Sequence, residues 1–77
     1  MSRLYWLVHR VDGEPRVRIE EAQSLMFARL KANIAGHEGE FVEAHELDDK
    51  TAKQVPKDMR GRVLSGIEAA RLLKRMK

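Results

Sequence analysis

Few residues in this chain could do acid–base, nucleophilic or metal chemistry. The histidines are His9, His37 and His45, and there is no cysteine. Without thiols there is no thiolate metal site, no cysteine nucleophile and no disulfide framework. Neither an HExxH zinc-protease pattern nor a Gly-rich phosphate loop followed by Lys-Ser/Thr occurs. Glu43 and His45 stand two apart on a predicted strand and so share a face, with His37 a few residues away. Two ligands do not make a site, and spacing sets no third, so no metal and no cofactor are expected. Ser2, Ser24, Ser65 and Thr51 lack a base at any fixed spacing. The chain is therefore read as a non-catalytic binding module.

Binding chemistry is better represented, because charge is divided along the chain. Residues 1–49 carry six cations against ten carboxylates, a net −4, and residues 50–77 carry nine cations against two carboxylates, a net +7. An acidic run, Glu38, Glu40, Glu43, Glu46, Asp48 and Asp49, precedes a basic third. Complementary patches of this kind steer encounters and fix orientation. The first expectation is thus a protein partner, or self-association, through segments 38–49 and 50–77.

The alternative is nucleic acid. Lys53, Lys57, Arg60, Arg62, Arg71, Lys74 and Arg75 could neutralise phosphates, with Arg60-Gly61-Arg62 in a loop where glycine lets a phosphate approach the backbone. Tyr5, Arg16 and Arg18 fall on one sheet face together with His9, and an open aromatic and cationic face can stack bases. Against this, cations near a helix C-terminus answer the helix dipole at about 0.3–1 kcal/mol each, which accounts for Arg71 to Lys77 without any ligand.

These residues must be positioned by a small α+β domain spanning 1–77. The run over 3–11 reads as a strand, apolar on both faces (Leu4, Trp6, Val8 and Tyr5, Leu7, Val11), which suits the middle of a sheet. Asp12-Gly13 predicts a type I′ turn. The register then sets Val11 opposite Glu14, His9 opposite Arg16 and Leu7 opposite Arg18. Val17 and Ile19 alternate with Arg16 and Arg18, and Pro15 places this second strand at an edge. A helix is predicted over 20–35, begun by Glu20 and Glu21, stopped at Gly36, and burying Ala22, Leu25, Met26, Leu30 and Ile34 with Phe27 at the margin. A third strand fits 40–47, followed by a short helix capped by Asp48 and Asp49 and ended before Pro56. Ser65-Gly66-Ile67-Glu68 is a capping box opening a basic C-terminal helix, with Leu64 as a staple on Ala69.

The expected architecture is a three-stranded antiparallel sheet of order 2-1-3, with one long helix on its Trp6 face. The side on which the C-terminal helix docks is left open. The expected core is Trp6, Val8, Val17, Ile19, Leu25, Met26, Leu30, Ile34 and Val42, with Leu72 and Leu73 docked on it. The longest apolar run, 4–8, is shorter than a signal-peptide core of about 7–15 residues or a membrane span of about 20, so a cytoplasmic protein with no membrane partner is expected.

Overall fold

The structure is a computed structural model and describes residues 2–34 and 39–76. The chain is a mixed α+β domain built on an antiparallel sheet. Its elements are β1 (Arg3–Val11), β2 (Glu14–Ala22), α1 (Leu25–Ile34), β3 (Glu40–Glu46), α2 (Asp49–Ala52), β4 (Val63–Ser65) and α3 (Gly66–Met76), with a 3-10 turn at Lys57–Met59. The sheet order is β3-β1-β2-β4. The expected 2-1-3 arrangement is therefore present, but a fourth strand extends it.

The β1–β2 hairpin forms as its turn residues require. Asp12 and Gly13 both adopt positive φ, 52° and 79°, and the pairing runs through Val11↔Glu14, His9↔Arg16 and Leu7↔Arg18. It continues to Arg3↔Ala22, so Glu20, Glu21 and Ala22 stay in the strand instead of opening a helix. The predicted helix start at Glu20 is corrected accordingly. Nine residues of β1 offer partners that extend β2, and helix α1 begins only after Ser24, whose Oγ accepts from the Phe27 N–H at 3.3 Å. The stop read at Gly36, together with His37 and Glu38, lies outside the described residues.

Strand β2 is not an edge. Arg16, Val17 and Arg18 pair with Ser65, Leu64 and Val63 of β4. Pro15 stands just before this pairing, so its missing N–H interrupts nothing. On the opposite side of the sheet, the β1–β3 register shifts between Val8 and His9. Val8 faces Glu43 while His9 faces Phe41, leaving Val42 as the extra residue of a bulge. Val42, expected in the core, is 46% exposed, on an edge strand whose residues are all exposed except the half-buried Ala44.

Both sheet faces are covered, each by a different helix. Leu4, Trp6, Val17, Ile19 and Leu64 pack with Val55, Ala69 and Leu72 beneath α3 and the α2 region. Tyr5, Leu7 and Ala22 pack beneath Ala28 and Ala32 of α1. The expected single long helix on the Trp6 face is thus corrected. The structure has two helices of similar length, and α1 lies on the Tyr5 face. Leu72 is buried as expected, but Leu73 is turned outward and 44% exposed.

The caps match the sequence signals. Ser65 Oγ accepts from the Glu68 N–H at 3.2 Å and Glu68 Oε1 accepts from the Ser65 N–H at 3.3 Å, closing the capping box. Asp48 Oδ1 accepts from the Thr51 N–H at 2.7 Å, opening α2.

Candidate interaction surface

Helix α1 rests on the sheet by its two alanines, both fully buried. Ala28 and Ala32 are four apart and so lie one above the other on the same helix face. Their small side chains allow the helix backbone to approach Tyr5 and Leu7 closely. The large side chains are then turned away from the sheet. Phe27 and Leu30 are 52% and 50% exposed, Met26 and Ile34 reach 77% and 79%, and Leu25, on the stripe of Ala28 and Ala32 at the helix start, is 41% exposed. Leu25, Met26, Leu30 and Ile34 were expected in the core, with Phe27 at its margin, and all five are exposed instead. The sequence did carry a signal of this: α1 is apolar on nearly every side, and such a helix buries both faces or leaves one unpartnered.

The exposed face has relief. Met26, Leu30 and Ile34 recur at intervals of four and make a ridge. On one side lies a groove of about 380 Å³ between Leu30 and Ile34 and the Ala22–Gln23 corner, with Phe27 and Lys31 at its wall. On the other lies a more open depression of about 490 Å³ bounded by Leu25, Met26, Arg29, Leu30 and Asn33.

The only charged residues of α1 are Arg29 and Lys31, and both reach back toward the body of the domain. The Arg29 guanidinium carbon lies 4.1 Å from the centroid of the Phe41 ring on β3. Lys31 Nζ donates to the Glu21 carbonyl at 2.6 Å. Phe41 in turn meets His9 edge-on at 5.6 Å. His9 is buried, and its pKa is lowered first by that burial and then by the nearby Arg29 charge. The centre of the α1 outer face is therefore apolar, with its charges at the margin.

The residues singled out for anion binding are dispersed, and several have structural partners. Tyr5 is only 6% exposed beneath α1, so the expected open stacking face does not exist. Arg18, expected to face solvent, is buried. Its Nε donates to Glu20 Oε2 at 2.9 Å and its Nη2 to the Gly61 carbonyl at 2.8 Å. The cause is the 60–62 loop, whose Gly61 N–H donates to the Ile19 carbonyl at 2.7 Å and which folds against β2. Arg16 is half-buried and bonds the Pro15 carbonyl. Arg60 donates to the Ala52 and Val55 carbonyls and closes the end of α2. Arg62 donates to Glu68 Oε2 at 2.9 Å and to the Asp58 carbonyl, bracing the α3 capping box. Gly61 thus serves a loop-to-strand contact, with φ at 75°.

Lys53, Lys57, Arg71, Lys74 and Arg75 remain exposed. Lys53 borders a polar hollow of about 280 Å³ together with Arg3, Glu21, Asp49 and Arg60, a mixed-sign lining. On the acidic segment, Glu46 pairs with Arg3 at 3.1 Å, and Glu43 lies 3.4 Å from His45 on the solvent side of β3. No cluster of three or more metal-ligating side chains occurs among the described residues, and no described helix is long and apolar enough to cross a membrane.

Comparison with protein-family models, with curated proteins and with solved structures finds no match to this chain.

Proposed function

We propose that this protein is a non-catalytic protein-binding module that docks through the outer face of α1. The observation that carries this reading is the inverted helix: Met26, Phe27, Leu30 and Ile34 point away from a fold that buries alanines in their place. Together they expose roughly 450 Å² at about 150–200 Å² per large side chain, within the size range of functional patches on small proteins. An apolar centre with cations at its margin is also the usual composition of a protein interface. The exposed cations of 50–75 lie with α2 and α3 on the opposite sheet face, so they and the acidic segment 40–49 act on encounter at a distance and not as contacts of this patch.

The test is photo-cross-linking in the cells that make the protein, with a photoreactive apolar amino acid replacing Leu30 and, as a control, Lys57. Discrete higher-mass products from position 30 and few from position 57 are expected. No product from position 30, or equal yields from both, would remove α1 as the docking face.

A second reading, nucleic-acid binding, rests on Arg71, Lys74 and Arg75. They stand exposed on α3 and make no ion pair among the described residues. Lys53 and Lys57 would add to it, whereas Tyr5, Arg18, Arg60 and Arg62 already have the internal roles described above. Titration with mixed DNA and RNA at low and moderate salt tests it. Salt-sensitive shifts of α3 backbone resonances would favour it, and unchanged spectra at low salt would end it.

A further inference from the structure

Resting on the proposed docking role of α1, we infer that the occupant of this face is a second copy of the same chain, packed α1 against α1 about a two-fold axis near Leu30. A two-fold interface must be self-complementary, since one patch supplies both the projection and the recess. This face has both. The Met26–Leu30–Ile34 ridge projects between the two grooves that flank it, and each groove has room for the ridge of a facing copy. Two such four-residue rows interdigitate at about −50°, the commonest way helices pack.

Area is compatible with the same occupant: roughly 450 Å² from each copy gives at most about 900 Å² in total, in the range of weak, transient encounters. The dimer is therefore expected to be weak, as befits an interface of minimal size. Charge opposes it only weakly. Arg29 and Lys31 are the only charged residues of α1, and they are drawn back onto the Phe41 ring and the Glu21 carbonyl. The facing centres are apolar, and the rims carry like sign. Added salt should leave this dimer unchanged or tighten it. An association of the acidic 38–49 segment with the basic third would instead weaken as salt rises.

Sedimentation equilibrium of the purified full chain, from 10 to 500 µM at 50 and 500 mM salt, decides the matter. The wild type should show a monomer–dimer equilibrium that persists at high salt. Leu30→Asp should weaken dimerisation at least tenfold. Ile34→Lys, at a position 79% exposed in the monomer, should do the same with unchanged circular dichroism, which guards against loss of fold in the first variant. A chain that stays monomeric to 500 µM overturns the second copy as occupant. Cross-linking from position 30 to a different protein would then keep the module reading, and flotation of the monomer with anionic vesicles would make the face a membrane contact. A dimer unaffected by both variants, or one dissolved by salt, overturns the α1 interface as well.

Discussion

Arg18 and Glu20 form an ion pair at 2.9 Å whose side chains are only 11% and 10% exposed, sealed by the Gly61 carbonyl from the loop before β4. This pair joins the hairpin to the 60–62 loop and thereby sets where β4 begins. Removing one member leaves the other charged and largely out of water, which typically costs about 3–5 kcal/mol, while replacing both with apolar groups of similar volume is often neutral. Arg18→Met and Glu20→Leu should each lower the urea midpoint severely. The double variant should recover most of the loss, read as a coupling energy in a double-mutant cycle.

Helix α1 gives the second prediction, because its buried and exposed faces are the reverse of what residue size suggests. Ala28→Leu or Ala32→Leu would drive a large side chain into the contact with Tyr5 and Leu7, with an overpacking cost of about 1–3 kcal/mol. Met26→Ala should change the stability of the monomer by less than about 0.5 kcal/mol. Trp6→Ala on the other face should cost about 3–5 kcal/mol. Chemical denaturation of the monomer at low protein concentration measures all four. A cheap Ala28→Leu with a costly Met26→Ala would mean that the helix is rotated.

Gly39 gives the third. Its φ is 120°, and a Cβ there would stand 2.5 Å from the Arg10 carbonyl oxygen and 2.7 Å from Val11 Cγ2. Both the backbone angle and the space forbid a side chain. Gly39→Ala should therefore destabilise by more than the ~1 kcal/mol typical of an exposed glycine, and should loosen β3 first. Hydrogen exchange along residues 40–46 would show it.

The fourth concerns pH. Burial, and then the Arg29 charge, hold the His9 pKa below 6.5 in the folded chain. The unfolded chain takes up that proton near about 6.5, and the folded chain only at lower pH. Between the two values the unfolded state binds more protons, so stability falls as pH drops below about 6.5 and through the folded value. His9→Gln should flatten the urea-midpoint profile between pH 7.5 and 5. Glu68 and Asp48 act in a separate, lower window. Hydrogen bonds led by those from Ser65 and Thr51 respectively hold their carboxyls below the usual range, so their contribution is present near neutrality and lost under acid conditions. A wild-type profile that is flat from pH 7.5 to 5 would contradict the His9 assignment.

Local signals in the sequence determined a good deal of this protein. Asp12-Gly13 dictated the turn and, through it, the β1–β2 register, because few residue pairs accept two consecutive positive φ angles. Apolar residues on both sides of 3–11 placed β1 in the centre of the sheet. Ser65 and Glu68 marked the start of α3, and Asp48 that of α2, because caps are satisfied by neighbours in the chain.

What tertiary structure alone decided are the choices between faces and partners. Ala28 and Ala32 won the sheet over Met26 and Ile34 because closeness of backbone approach, not hydrophobicity of the stripe, governed how α1 seats on Tyr5 and Leu7. Val63–Ser65 became a strand only because β2 had an unpaired side for it, and Arg18 was buried only because the 60–62 loop closed over it. Periodicity records which residues of a helix share a face. It does not record which face the rest of the chain will cover, and in this protein the apolar face left uncovered is the one proposed to dock.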